Sequence, residues 1–337
     1  MPTGTFNNSS CNNLQIVSWN AGGIKGKFRE FKYFIDEKQP DIVGLQETYL
    51  NPGVKLTIPN YTTYRNDRLT HRGGSTALLI KNSINHHPTP VFTSTFENTS
   101  VSIDLPNNNR FQHLSSPHGR IDTQDLNNIF NLSLKGIAVG DFNAKHPAWS
   151  QSRSNINGSI IHNHIANNNL VLLAPLEPTH FPYHHPSSST LYFGIMKNFS
   201  TGNATSINDL SSDHNPVTFD ININSNLSSG SKNINITTWK TFCELIHNSI
   251  PGNPKMDTEA EIDEEIQKFT CCITSAINLS TRTKVISGPF RQLSKEILSK
   301  IKIKNRLRKL YQITFFPPYK RKAYKLQKEI QTDIKNL

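Results

Sequence analysis

The sequence predicts a mixed α/β sandwich that is followed by a helical, strongly basic tail. Strand patterns and amphipathic helix patterns are interleaved over residues 13–223, which is typical of sheets covered by helices. A hairpin pattern also occurs in this region, and it favours mixed sheets over a simple doubly wound parallel sheet. After an Asn-, Ser- and Gly-rich stretch we expect helices alone.

The elements of the sandwich follow from local patterns. Residues 14–19 and 41–46 are apolar strands, and an apolar stripe from Phe28 to Ile35 predicts a helix that ends before Pro40. Residues 100–105 and 111–114 flank a Pro-Asn-Asn-Asn turn and predict an antiparallel hairpin. The other predicted strands are 76–81, 137–140, 170–174, 191–196 and 217–223, and the other predicted helices are 122–130 and 157–168.

We expect four segments along the 337 residues. They are a disordered start at 1–12, the α/β domain at 13–223, a linker at 224–237 and a helical basic connector at 238–337. In the connector, helix patterns begin near Trp239, Ile262 and Leu293, and Pro317-Pro318 interrupts the third. A last helix is predicted from about Tyr319.

Positive charge is concentrated at the end of the chain. Residues 282–337 contain 16 Lys and Arg against three acidic residues, a net charge of +13, whereas the whole chain carries +11. The preceding residues therefore sum to −2. A near-neutral body with a basic tail indicates a polyanionic partner, most simply nucleic acid. The alternative is a solvated helical face without a partner.

The cysteines and the apolar segments indicate a soluble, intracellular protein. No CxxC pair occurs among Cys11, Cys243, Cys271 and Cys272, which indicates a reducing compartment and no structural zinc. The start of the chain lacks the apolar core of a signal peptide, and no later run is long and apolar enough to span a bilayer. We therefore expect the nucleus or the cytoplasm, and no membrane partner.

Polar side chains follow one predicted strand directly. The strand at 137–140 is followed by Asp141-Phe142-Asn143, and in an extended backbone Asp141 and Asn143 would point to the same side. A carboxylate beside an amide can hold a water near a phosphate or a metal. Phe142 would point away into the packing.

Further polar residues lie next to other strands and would meet Asp141 at one rim of the sandwich. Asn20 and Glu47 end the first two strands, and Asp213 and His214 precede the last one. Glu47 and Asp213 are hard oxygen ligands suited to Mg²⁺, and His214 can donate to a phosphate. Together these groups suit metal-assisted phosphodiester hydrolysis. Taken singly, Glu47 could begin a helix, Asp213 could cap one, and His214 could be a structural turn residue.

These residues lie in Ser18-Trp19-Asn20, Leu45-Gln46-Glu47-Thr48, Gly140-Asp141-Phe142-Asn143 and Ser212-Asp213-His214. In this order the segments resemble the motifs of the endonuclease/exonuclease/phosphatase superfamily, which implies a four-layer, DNase I-like sandwich of two mixed sheets flanked by helices. The finer pattern is similar to the endonuclease of jockey-type non-LTR retrotransposons, in Asp141-Phe142-Asn143-Ala144-Lys145-His146 with Trp149 and in Pro178-Thr179-His180-Phe181-Pro182. The connector resembles the segment that leads to a reverse transcriptase, so we expect the amino-terminal part of a longer RNA-directed DNA polymerase.

The resemblance implies roles for the matching residues. Glu47, with Asn20 and Asp213, would hold Mg²⁺. Asp141 would activate the attacking water, and Asn143 would position the water or the phosphate.

The remaining roles concern the phosphate. His214 would contact the scissile phosphate, and Thr179 and Ser212 would be secondary phosphate contacts. The implied reaction nicks one strand of double-stranded DNA and leaves a 3′ hydroxyl that primes reverse transcription. Retrotransposon RNA or ribonucleoprotein would be a further partner.

Two departures from the family pattern predict an intact fold with weak or lost catalysis. The family carries a Tyr-x-Pro-Pro element after the hairpin, whereas residues 111–119 contain no tyrosine, and Ser115 or Ser116 lies nearest that place. The family also has an aspartate that orients the histidine, and this chain has Tyr192 there. A phenol is not an anion at neutral pH. Losing such a carboxylate costs on the order of 10⁴ in rate in the serine-protease template.

Three functions are consistent with the sequence. The first is a Mg²⁺-dependent DNA endonuclease that is impaired in this copy. The second is a decayed, non-catalytic nucleic-acid-binding remnant, which the basic tail and the two departures favour. The third is another branch of the superfamily, such as a phosphoinositide or sphingolipid phosphodiesterase, and the patterns at 144–146 and 178–180 argue against it.

Overall fold

The chain folds into two compact units, one of residues 1–228 with 289–337 and one of residues 229–288. The computed structural model describes residues 13–68, 73–103, 109–114, 120–131, 133–182, 186–199, 201–223, 233–250, 258–285 and 293–336. Its strands are β1 (Asn13–Asn20), β2 (Ile42–Gln46), β3 (Tyr61–Asn66), β4 (Thr76–Lys81), β5 (His86–Pro88), β6 (Asn98–Ile103), β7 (Asn109–Leu114), β8 (Lys135–Asp141), β9 (Val171–Leu173), β10 (Tyr192–Lys197), β11 (Gly202–Ser206), β12 (Val217–Asn222), β13 (Asn233–Thr237) and β14 (Thr281–Val285). Its helices are α1 (Phe28–Lys38), α2 (Thr123–Asn131), α3 (Ile156–Asn167), α4 (Trp239–Ser249), α5 (Glu259–Ser280), α6 (Lys295–Thr314) and α7 (Pro317–Lys335).

The described part of the first unit is built on two six-stranded sheets. One has the strand order β11-β12-β1-β2-β4-β3, and the other has the order β5-β6-β7-β8-β10-β9. Both sheets are mixed. In the first, β1 pairs parallel with β2 and antiparallel with β12; in the second, β8 pairs parallel with β7 and antiparallel with β10.

Apolar clusters separate four layers in this unit. One cluster fills the space between the sheets and includes Ile16, Val139 and Phe219. A second packs α1 on the first sheet, and a third packs α2 and α3 on the second sheet. The order helix, sheet, sheet, helix confirms the predicted four-layer sandwich.

Two strands end in a polar residue on the side that faces the inter-sheet core. Ile16 of β1 belongs to that core, and side chains alternate along a strand, so Asn20 lies on the same face. Val139 of β8 also belongs to the core, which places Asp141 on the inner face of the second sheet. The alternation therefore directs both polar groups toward the space between the sheets.

The predicted elements of the sandwich are confirmed, and three strands are additional. The expected hairpin is present as antiparallel β6 and β7, and α1 ends before Pro40 as expected. The sequence patterns missed β3, β5 and β11. The sequence signal is weak for the last two, because β5 has three residues and β11 is mostly exposed and polar, so neither shows apolar alternation.

The described part of the second unit adds a small sheet to the helices that the sequence predicts. Strand β13 pairs antiparallel with β14, and β13 begins inside the linker expected at 224–237. Both strands have only five residues, and β14 is almost wholly polar, so the sequence shows little of the apolar–polar alternation that predicts a strand. Helix α5 begins with a capping box between Thr258 and Glu261.

Helices α6 and α7 belong to the first unit, so the connector expected at 238–337 is divided between the two units. The two helices pack on each other through an isoleucine cluster of Ile297, Ile301, Ile330 and Ile334. Helix α7 begins at Pro317 rather than near Tyr319, because proline is accepted in the first turn of a helix. None of the helices in the described residues is long and apolar enough to cross a membrane.

Candidate active site

Asp141 is the last residue of β8 and is buried, as is Phe142, which follows it. Phe142 stacks on Phe193 at 4.4 Å between ring centroids, which confirms that it points into the packing. The Asp141 Oδ1 atom accepts the backbone N–H of Asn143 at 2.9 Å. Asn143 is exposed and has a left-handed backbone with φ of 45°, so the expected extended geometry is wrong at this residue. The strand has ended, and a turn closed by the Asp141 carboxylate replaces it.

Tyr192 lies at the centre of the predicted site. It is directly opposite Asp141 in the antiparallel pairing of β10 with β8, and its phenol donates a hydrogen bond to Gln46 Oε1 of β2. Burial raises the pKa of Tyr192 well above its usual value, and the negative charges of Asp141, Glu47 and Asp213 raise it further. Three predicted carboxylates therefore act electrostatically on one buried phenol, which stays neutral.

Two predicted ligands are held by local turns beside this phenol. The Asn20 Oδ1 accepts the N–H of Gly22 at 3.0 Å, and the Asn20 side chain opposes the rise in the pKa of Tyr192. Glu47 has a left-handed backbone with φ of 49°, and its Oε2 accepts the N–H of Gly74 at 2.8 Å. Glu47 is half-buried and follows β2 directly, so its carboxylate lies at the end of the first sheet.

His214 is buried above Asp141 on the turn before β12. Its Nδ1 lies 3.8 Å from Asp141 Oδ2 and has no hydrogen-bond partner in the described part of the chain. Burial lowers the pKa of His214, and the charge of Asp141 opposes that shift. The Tyr192 ring meets the imidazole edge-on at 5.5 Å, but its hydroxyl is directed to Gln46. Tyr192 therefore does not hold the His214 ring by a hydrogen bond.

The sequence patterns missed His180, although it lies in the quoted Pro-Thr-His-Phe-Pro segment. Its ring stacks on His214 at 4.3 Å between centroids, and its Nε2 lies 3.6 Å from Asp213 Oδ2. Burial opposes ionisation of Asp213, but the contact with His180 and the positive charge on the two imidazoles lower the pKa of Asp213 to about 2. Asp213 is therefore an anion at neutral pH. The only sequence signal for His180 was its position beside Thr179.

Thr179 does not occupy the place expected of a phosphate contact. It is fully buried, and its Oγ1 accepts the backbone N–H groups of Leu191 and Tyr192 at 3.0 and 3.2 Å. Its hydroxyl therefore fixes the start of β10 next to the site. Ser212 is also buried, and its Oγ accepts the N–H of His214 at 3.3 Å. Ser115 lies outside the described residues.

One face of α6 holds the segment that carries Asp213 and His214. Arg308 donates to the backbone carbonyls of Asp209 at 2.9 Å, of Leu210, and of Ser212 at 2.7 Å. Gln312, one turn later, donates to Asn215 Oδ1 at 3.0 Å. Residues separated by four lie on one side of a helix, so a single stripe of α6 binds this segment.

The donor groups at this rim suit a divalent cation. Ligand atoms of His180, Asp213 and His214 lie within 4.8 Å of one another. The carboxylates of Glu47 and Asp141 act on the same phenol as Asp213 does. Carboxylate oxygens are the ligands that Mg²⁺ prefers, whereas imidazole nitrogens also suit transition metals. The residues present therefore fit a metal-dependent hydrolytic site.

Comparison with known proteins identifies relatives of this arrangement. The Endonuclease/Exonuclease/phosphatase family matches residues 17–214. The probable RNA-directed DNA polymerase from transposon X-element of Drosophila melanogaster is 28% identical over 310 residues, which cover 88% of this chain and 34% of that protein. The RNA-directed DNA polymerase from mobile element jockey of the same species is 28% identical over 331 residues, which cover 90% of this chain and 35% of that protein. The chain thus spans about a third of the length of these relatives.

Solved structures share the fold at low sequence identity. The endonuclease domain of TRAS1, a telomere-specific non-LTR retrotransposon, has a TM-score of 0.52 and 16% identity, and the match covers 63% of this chain and 99% of that chain. The AP endonuclease LMAP from Leishmania major has a TM-score of 0.50 and 13% identity, over 62% of this chain and 88% of that chain. These likenesses confirm the sandwich architecture.

Proposed function

The chain belongs to the endonuclease/exonuclease/phosphatase family, and from this we propose that it hydrolyses a phosphodiester bond of double-stranded DNA and nicks one strand. The observation that carries the proposal is the position of His214, which lies 3.8 Å from Asp141, groups with Asp213 and His180 within 4.8 Å, and meets the Tyr192 ring edge-on. The curated relatives are RNA-directed DNA polymerases of mobile elements. We therefore propose that the nick supplies the 3′ hydroxyl for reverse transcription in a longer protein, with the element's RNA as partner.

Each residue has a proposed task in this reaction. Glu47, Asn20 and Asp213 would hold Mg²⁺, which when bound neutralises charge that develops on the phosphate. Asp141 accepts a proton from the attacking water, because it is a buried carboxylate next to His214 at the same rim. The exposed amide of Asn143 positions the water or the phosphate.

The phosphate itself would be contacted from the turn before β12. A ring N–H of His214 donates a hydrogen bond to a phosphate oxygen, and Ser212 lies two residues before His214 on the same turn. His180 stacks on the His214 ring and so restricts its rotation. Thr179 acts through the backbone of β10 rather than on the phosphate.

The full chain is expected to convert supercoiled plasmid to the open circular form when Mg²⁺ is present. Chelation by EDTA should abolish the conversion, and excess Mg²⁺ should restore it, because the carboxylate cluster needs a cation to bind a phosphate. Gel electrophoresis of the plasmid forms gives the measurement. Conversion that continues undiminished in EDTA would contradict the metal-dependent mechanism.

The site also supports the proposal that catalysis is impaired in this chain. His214 Nδ1 has no hydrogen-bond partner in the described residues, and the nearest carboxylate, Asp141, is already proposed as the base. A single carboxylate would then have to orient the histidine and accept the proton of the water. Tyr192 fills the position opposite Asp141 without donating to His214.

Tyr192→Asp is expected to raise the nicking rate about tenfold or more, because a carboxylate beside His214 would fix its tautomer and orientation. The same change should lower the free energy of unfolding by about 3–5 kcal/mol, since it removes a fully buried ring. Single-turnover nicking and urea denaturation measure the two effects.

Two variants control this experiment. Tyr192→Asn makes the same change in size without the charge, and Tyr192→Phe removes only the hydroxyl that binds Gln46. Neither should raise the nicking rate, and Tyr192→Phe should cost only about 1 kcal/mol of stability. Equal rates for the Asp and Asn variants would show that the missing carboxylate is not the defect.

The second candidate function is a nucleic-acid-binding remnant without catalysis. Two observations favour it: His214 Nδ1 has no hydrogen-bond partner among the described residues, and helices α6 and α7 are basic. Binding that weakens steeply with salt, together with no cleavage at any Mg²⁺ concentration, would select this candidate over the nuclease.

A further inference from the structure

A cavity of about 520 Å³ lies between the turn that carries Asp213 and the hairpin of α6 and α7. We call it the hairpin cavity. Ser212 and Asp213 line it, and so do Tyr311 of α6 and Tyr324 of α7. Its volume lies in the range of about 300–1,000 Å³ that small-molecule and nucleotide-sized ligands occupy.

The charge of the cavity wall is strongly positive. Six of the lining residues are Lys or Arg and one is acidic, Asp213. Three of these cations already serve the fold, since Lys304 meets Glu30 and both Arg308 and Lys27 donate to backbone carbonyls. Lys320, Arg321 and Lys328 of α7 line the cavity as well, which directs positive charge at any ligand there. This field favours an anionic ligand.

Two tyrosine rings of the wall each have a lysine ammonium over one face. Lys320 Nζ lies 5.1 Å from the centre of the Tyr311 ring, and Lys328 Nζ lies 4.7 Å from the centre of the Tyr324 ring. Tyr324 is 60% exposed although it is a large aromatic residue. An aromatic face next to a cation matches a nucleotide, whose base stacks on the ring while its phosphate meets the ammonium.

An unpaired nucleotide fits this wall better than a base pair does. In a duplex both faces of each base are covered by neighbouring bases, so no face is left to stack on a tyrosine. A base that has left the stack exposes its faces and can enter a cavity of nucleotide size. The adjoining Asp213 places such a nucleotide next to the proposed metal ligands.

We propose that the hairpin cavity binds an unpaired nucleotide of a nucleic-acid strand, with Tyr311 and Tyr324 as stacking faces and the cations of α7 as phosphate contacts. Its placement beside the cut rests on the proposed nuclease function, whereas the binding itself does not. Single-stranded DNA and single-stranded RNA both contain unpaired nucleotides, and a comparison of their affinities shows which of the two the cavity prefers.

Binding is to be measured on the full chain in EDTA, so that cleavage does not contribute. Fluorescence anisotropy with a labelled twelve-residue oligo(dT), the matching oligo(rU) and a blunt duplex of about equal length supplies the three arms. Tyr324→Ala is expected to weaken single-strand binding about 5-fold or more, and Tyr311→Ala similarly. Neither variant should change duplex binding more than about twofold, because duplex bases do not reach the rings.

Matched variants on α7 distinguish the contribution of the hairpin cavity to binding from that of the overall positive charge of the helix. Tyr319→Ala removes an α7 tyrosine outside the cavity wall, and Lys325→Ala removes an exposed α7 lysine outside it. Both should retain single-strand binding, apart from a small salt-sensitive loss for Lys325→Ala. Tyr324→Phe keeps the stacking face and should bind as the unchanged chain does.

Two results would overturn the proposal. One is an unchanged single-strand affinity in Tyr324→Ala. The other is an equal loss of duplex and single-strand affinity in this variant, which misfolding does not explain because Tyr324 is exposed. Because no metal and no cleavage enter this measurement, its failure leaves the nicking experiment intact. A chain that binds single strands through these tyrosines but never nicks plasmid would reject the nuclease function and keep the cavity.

Discussion

Asp141→Asn is expected to reduce the nicking rate about 10³-fold or more while the fold stays intact. The asparagine side chain retains an oxygen that can accept the N–H of Asn143, as Asp141 Oδ1 does at 2.9 Å. It loses the negative charge and the ability to accept a proton from water, a contribution of about 10²–10⁴ in rate for a general base. It also loses the anion that lies 3.8 Å from His214 Nδ1. Single-turnover nicking at saturating Mg²⁺ gives the rate.

Asp122→Asn is the matched control for this variant. Asp122 also accepts the N–H of the residue two positions later, Gln124, at 2.9 Å, but it is exposed at the start of α2. Both substitutions therefore make the same chemical change in the same kind of turn, and only the one at the site should lower the rate. Equal nicking by the Asp141 variant and the unchanged chain would refute the assignment of Asp141 as the base.

Lys304→Met should lower the free energy of unfolding by about 3–5 kcal/mol, because it leaves a buried carboxylate without its cation. Lys304 is 1% exposed and Glu30 is 3% exposed. The Lys304 ammonium contacts Glu30 Oε1 and lies 2.9 Å from Ser211 Oγ, which in turn donates to Glu30 Oε2 at 2.9 Å. Burial lowers the pKa of Lys304, and Glu30 acts in the opposite direction. Urea denaturation followed by circular dichroism measures the loss.

The double variant Glu30→Gln with Lys304→Met separates the charge from the packing. Without the carboxylate, no buried charge is left unpaired, so most of the lost stability should return. Lys300→Met, one turn earlier on α6, removes a half-buried lysine that pairs with Asp333 at 2.7 Å and should change little. A double variant as unstable as Lys304→Met alone would show that the ion pair is not the cause.

The same ion pair connects stability with the proposed chemistry. Ser211 precedes Ser212 and Asp213, and Arg308 on the next turn of α6 binds the carbonyls of this segment. Displacing α6 would therefore release the turn that presents His214. We expect Lys304→Met to lower the nicking rate at temperatures where the sandwich itself remains folded.

The sequence determined the layers of the sandwich and indicated most of the residues that the fold brings to the candidate site. Alternation along β1 and β8 sets Ile16 and Val139 in the core and places Asn20 and Asp141 at the ends of the same inner faces. This relation is local and periodic, so it can be found without knowing which strands are neighbours. The basic character of the last two helices is likewise a property of composition.

Only the tertiary structure decided how the site is held. His180 stacks on His214, and Tyr192 donates to Gln46, which is 146 residues away in the chain. Helix α6 fixes the segment before His214 through Lys304 and Arg308, which lie 93 to 99 residues from the groups of this segment that they bind. Periodicity shows which face of an element is buried, but it does not show which distant element covers that face. These contacts arise from the packing of separate elements, and a polar residue such as Lys304 looks like any other cation of a basic helix until the fold buries it beside Glu30.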